Sequence, residues 1–135
     1  MTTNRKTHRD ALEAAIKAFT GLADEAGGIP HVFSELIVTF GGLSPCVTIE
    51  NGGWSPDMTG DNTSPDKVRF IIGFWRRTDT RGNAEDALDT FAGELIALMK
   101  KSYNARYYQD SMPFYELIEG VEYRGEYHFV ELEEV

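Results

Sequence analysis

The side chains here that metals and nucleophilic catalysts use are Cys46, His8, His31 and His128. A zinc site needs such ligands clustered at short spacings, and a catalytic thiol needs a base at hand. These residues are far apart in the chain, with no C-x-x-C and no H-E-x-x-H. The cysteine is expected to act as a small buried hydrophobe and the histidines to lie at the surface. No metal or cofactor is expected from them.

Oxygen ligands gather in NGGWSPDMTGDNTSPD, residues 51–66, which holds Asp57, Asp61, Asn62 and Asp66. An EF-hand sets oxygen donors at alternate positions, then a glycine, then a bidentate glutamate. This spacing differs, and Asp and Asn are ordinary turn residues. The pairs Gly27-Gly28, Gly41-Gly42 and Gly52-Gly53 match neither phosphate-cradle pattern, and no G-x-S-x-G elbow is present. Glu131 and Glu133 share a strand face, roughly 7 Å apart at strand spacing. Such carboxylate pairs serve glycosidases, but on an exposed terminal strand they read as a solvated face.

The remaining cluster is basic: Arg76, Arg77 and Arg81. Two readings stay open. The arginines are solvated, or they meet the acids of another copy in a ring-forming contact. Trp75, Tyr103, Tyr107 and Tyr108 are aromatic anchors for such a contact or, alternatively, core residues. No catalytic proposal follows; the residues point to a binding or assembly domain, not an enzyme.

The chain has 135 residues and a mass of 15.2 kDa, the size of one domain spanning 1–135. Hydrophobic residues at 41% and aromatics at 12% suffice for a packed core. Thirteen Lys+Arg against twenty-two Asp+Glu give a net charge of −9 and a pI near 4.7. Tight nucleic-acid binding needs a dense basic surface, and anionic lipid repels the same charge, so both are disfavoured. No apolar run approaches the roughly 18–20 residues of a membrane span. MTTNRKTHRD leads into DALEAAIKAF, which is not a secretory signal, and the single cysteine fits an intracellular folding compartment. The charge is uneven. Residues 1–9 carry Arg5, Lys6 and Arg9 with no acid, while residues 116–135 carry seven glutamates against Arg124 alone, for −6.

These groups must be positioned by a small set of elements. Thr7 or Asp10 is expected to cap a helix running to about Ala26, with Leu12, Ile16 and Phe19 among its apolar positions. VFSELIVTF reads as a strand, and the turn-forming Gly41–Pro45 leads into CVTIE as its hairpin partner. Residues 51–66 have no period and read as a long loop that strands Trp54 and Met58. KVRFIIGFWRR is the clearest strand, with Val68, Phe70, Ile72 and Phe74 on one face. Asn83 caps a second helix, with Glu85 and Asp86 at its positive end and Lys100 and Lys101 at its negative end. In the closing strands Tyr115, Leu117, Val121 and Tyr123 share a parity that Glu119 interrupts, and Arg124-Gly125 is placed as the turn. The order is α-β-β-(long loop)-β-α-β-β: an α+β fold with two amphipathic helices on a mostly antiparallel sheet.

HRDALEAAIKAFTGL, FSELIVTF leading through LSPCVTIENGG, and above all KVRFIIGFWRRTDTRGNAEDALDTFAGELIALMKK resemble the tail terminator proteins of long-tailed phages, the family of minor tail protein U. E-Y-x-x-x-F-x-V-E resembles the family's C-terminal end, so the likeness spans the chain, by order more than by motif. It implies a virion structural protein, assembled in the host cytoplasm, at the head-proximal end of the tail. Subunits form a ring, a hexamer, that caps the tail tube, stops its polymerisation and joins it to the neck connector. The implied partners are other copies, the tube protein, the neck protein and DNA in transit, with no membrane. By position, Trp54, Asp57, Met58, Asp61 and Asp66 fall in a loop facing tube or lumen. Arg76, Arg77, Arg81 and Trp75 fall near subunit contacts, with Glu131 and Glu133 as acidic counterparts. A DNA-repelling lumen wall would draw on the acidic C-terminal strands or on that loop. The alternatives are a head-completion or neck protein and, from another class, a small cytoplasmic α+β ligand-binding protein or enzyme.

Overall fold

The computed structural model describes residues 5–19, 31–33, 41, 43–55, 66–79, 83–102 and 105–134. Side chains at 54, 55, 66, 101, 102, 105–109, 133 and 134 lie outside that description. The elements are α1 (Arg5–Lys17), β1 (His31–Phe33), β2 (Cys46–Ser55), β3 (Asp66–Arg77), α2 (Ala84–Ser102), β4 (Ala105–Ile118) and β5 (Val121–Glu134). Among the described residues two helices accompany a mixed sheet of five strands in the order β1-β2-β3-β5-β4, an α+β architecture.

Strand β3 supplies the middle of the sheet. Its alternation buries Val68, Phe70, Ile72 and Phe74 completely. Leu12 and Ile16, one helical turn apart on α1, join them, as do Ala87, Leu88, Phe91, Leu95 and Met99 of α2. Val32 of β1, Val47 and Ile49 of β2, and Val130 and Leu132 of β5 complete this core. Phe91 lies at its centre, stacked on Phe74 with ring centroids 4.8 Å apart and tilted against His128 at 5.5 Å. Burying a side chain of this kind stabilises by about 1.5–3 kcal/mol.

Helix α2 starts where its cap was expected. Asn83 Oδ1 accepts the backbone N–H of Glu85 at 2.9 Å and of Asp86 at 3.3 Å. Helix α1 differs. Thr7 and Asp10 lie inside it rather than at its start. Asp10 instead accepts from Lys6 Nζ at 2.6 Å, an i,i+4 pair along the helix surface. The helix also stops short of the expected Ala26: it ends at Lys17, and Ala18 and Phe19 lie beyond it, while residues 20–26 lie outside the described residues.

Three sheet assignments are corrected. β1 pairs with β2 in parallel, Val32 beside Val47, so the two strands form a crossover and not a hairpin. Alternation of polarity looks the same in either chain direction, which is why the pattern does not fix it. β2 runs on to Ser55 through a bulge at Asn51–Gly53, where Gly53 takes φ 125°. Asn51–Ser55 and Asp66 are therefore strand rather than loop: Trp54 pairs with Val68 and Asp66 with Glu134. The turn between β4 and β5 is Glu119-Gly120, with φ values of 49° and 80°, and Arg124-Gly125 lies within β5. Positive φ at both central residues gives the tight hairpin turn whose twist suits its strands. Gly125 has another use: a Cβ there would collide with the Phe114 ring and the Phe74 carbonyl.

Candidate interaction surface

The sheet face away from the helices has its own smaller cluster: Cys46, Trp75, Phe114 and Tyr123, with Phe33, Ile118, Val121 and Tyr127 against it. Trp75 and Phe114 ring centroids are 4.4 Å apart, and Phe114 and Tyr127 are also at 4.4 Å. The Trp75 indole N–H donates to Thr48 Oγ1 at 3.0 Å. Tyr123 Oη donates to the Leu43 carbonyl at 3.0 Å, and Cys46 Sγ to the same oxygen at 3.2 Å. Burial pushes the Cys46 thiol up to about 12, so it stays protonated and is no nucleophile at neutral pH.

Several expected surface residues are interior. Trp75 is 7% exposed, Arg76 2% and Glu131 5%. Glu131 Oε2 accepts from Arg69 Nε at 2.9 Å across β3 and β5, so it belongs to a cross-strand ion pair and not to a solvated face. Arg76 faces the helix side of the sheet, opposite Arg124, and is not one of a solvated trio. Arg77 grips Asp79 through two bonds, Nε to Oδ1 at 2.9 Å and Nη2 to Oδ2 at 2.6 Å. That pairing lowers the Asp79 carboxyl below its ordinary range and raises the guanidinium. Glu133 pairs by backbone with Lys67. Arg81, Asp57, Met58 and Asp61 lie outside the described residues, as do the side chains of Trp54 and Asp66.

His128 is also interior, fully buried against Phe91 rather than at the surface. Burial pushes its imidazole down to about 4. Its Nε2 lies 3.3 Å from Glu126 Oε1, a carboxyl that burial raises and the nearby Arg124 partly lowers. Both groups are held toward neutrality by desolvation. Among the described residues no group of three or more His, Cys, Asp or Glu side chains is placed to hold a metal ion. No helix among them is long and apolar enough to cross a membrane.

What the molecule exposes is an edge. β4 is the outermost strand beyond β5, and its far half carries Met112, Tyr115 and Leu117, exposed by 50%, 67% and 68%. Around them Glu116, Glu119 and Glu122 are exposed. Arg124 stacks over the Tyr115 ring at 4.9 Å and reaches Glu85 of α2 at 3.2 Å, fixing the hairpin to the helix layer. Sequence reasoning passed over this edge. The available signal was Met112, Tyr115 and Leu117 standing between polar residues just before Glu119-Gly120, on both sides of the strand.

No protein-family model matches the chain, and no curated protein matches it.

Proposed function

We propose that this protein is a structural assembly protein of a long-tailed phage, a tail terminator. Its subunits close into a hexameric ring that caps the tail tube, stops its growth and meets the neck connector. The observation that supports this most is the β3–turn–α2 unit. Residues 67–101 carry the strongest likeness to the family, and they supply the middle strand of the sheet and the helix that covers it. The exposed, apolar-flanked edge of β4 gives such an assembly a surface to use.

In the ring, DNA passes through a lumen that repels phosphate. Glu131 is engaged by Arg69 and unavailable for such a wall. In this reading Asp57, Met58 and Asp61, between the strand residues Trp54 and Asp66, face the lumen or the tube. Arg77 and Arg81 remain near subunit contacts in this reading.

The test is polymerisation of the tube protein with and without this chain, followed by electron microscopy. Tubes should stop growing and carry a ring on one end. Unchanged growth with no ring on any tube end overturns the reading, and binding to filled heads instead of tubes transfers the protein to head completion.

A further inference from the structure

The hydrogen-bonding groups of β4 alternate between β5 and the strand's outer side, where no described strand pairs with it. A two-residue turn makes Ile118 and Val121 a bonded pair. Counting back along the register, Glu116 and Phe114 also bond inward, while Leu117, Tyr115 and Pro113 direct their backbone groups outward. Pro113 has no N–H to lose there, which is the edge position proline tolerates. The nearer half of β4 is broken by register shifts at Ala105/Tyr107 and Tyr108/Asp110. Bulges of that kind blunt an edge against pairing. The far half has no such shift, and the residues with outward backbone groups include the exposed Tyr115 and Leu117.

Charge selects the occupant. Glu116, Glu119 and Glu122 surround this edge. Two such edges face to face would set like charges together, which opposes a two-fold contact. Among the described residues the opposite edge of the sheet is β1, against which α1 packs. Helix α1 carries Arg5, Lys6, Arg9 and Lys17 against Asp10 and Glu13, a net basic helix although Lys6 pairs with Asp10, Lys17 with Glu13 and Arg9 with Asn51 of β2. An acidic edge opposite one flanked by a net basic helix suits a head-to-tail contact, which closes into a ring or runs on as a filament.

We propose that the outer edge of β4, from Pro113 to Leu117, docks on the α1–β1 edge of a second copy of this chain. The proposal rests on the self-assembly part of the reading above and not on the tail. Leu117 is the apolar anchor, and the glutamates set orientation against the neighbour's α1.

The test is sedimentation velocity over a concentration series with charge-reversed variants. Glu116→Arg/Glu122→Arg and Arg5→Glu/Lys6→Glu should each weaken self-association about tenfold or more. Mixed together they should restore oligomers larger than dimers, because each reversed edge then meets its reversed counterpart. Leu117→Lys should weaken association with a melting curve close to the parent's, since the residue is 68% exposed. Oligomers unchanged by these variants overturn this surface and leave the ring reading standing. A mixture of the two reversed variants that stops at the dimer overturns it in favour of a two-fold edge contact. A parent chain that stays monomeric at every attainable concentration overturns it outright, while tube capping is scored separately with tubes.

Discussion

Trp75 donates its indole N–H to Thr48 Oγ1 across β2 and β3, at 3.0 Å, where the threonine is 1% exposed. The indole reaches it only because residue 73 lacks a side chain: a Cβ on Gly73 would sit 2.8 Å from both Thr48 Oγ1 and Trp75 Nε1. Thr48→Val keeps the shape and removes the acceptor. The buried N–H then loses its partner, at a cost of about 1–3 kcal/mol. Urea unfolding should register that loss with an unchanged denaturant slope. Stability within a few tenths of the parent's would show that water reaches the indole.

Gly125→Ala should destabilise by about 1–3 kcal/mol, the range for overpacking a filled site. The added methyl meets the Phe114 ring on one side and the Phe74 carbonyl on the other. Phe114→Leu in the same chain relieves the first contact but not the second. Part of the loss should therefore return in the double variant, and simple additivity of the two changes would contradict the packing described.

His128 makes the fold sensitive to acid. Its folded-state pKa is depressed to about 4 from an ordinary 6.5. The unfolded chain therefore binds a proton first as pH falls. The stability associated with neutral His128 is full above about 6.5, is lost as pH drops toward 4, and then levels off. At about 1.4 kcal/mol per pH unit the loss is on the order of 3 kcal/mol. Glu126, with its pKa raised, titrates in the opposite sense and offsets part of it. His128→Gln should flatten the slope in a melting series across that window, and an equally steep variant would place the acid sensitivity elsewhere.

The parts of the fold legible in the sequence were those with a strong local rule. Val68, Phe70, Ile72 and Phe74 alternate, and Asn83 precedes two acids, so β3 and the start of α2 could be located. Direction and register depend on residues far apart. The parallel pairing of Val32 with Val47 leaves no local trace. Gly125 looked like a turn glycine because close approach and positive φ both call for glycine, and only the packed Phe114 tells them apart. Charged residues misled for a related reason. Arg76 and Glu131 read as surface residues by type, yet both are buried, Glu131 with a cross-strand arginine. The candidate surface was hardest to see, since an edge strand is defined by what fails to pair with it.

The strand order has a consequence for synthesis. β3 lies between β2, its immediate predecessor among the strands, and β5, from which α2 and β4 separate it in the chain. Phe74 meets Glu126 and Ile72 meets His128 only after that intervening stretch has been made. Until then one long, apolar flank of β3 stands open and β4 has nothing to pair with. Such non-local closure slows folding and leaves nascent chains vulnerable to pairing with each other. The growing chain thus passes through a stage in which its most hydrophobic strand is covered along one edge only.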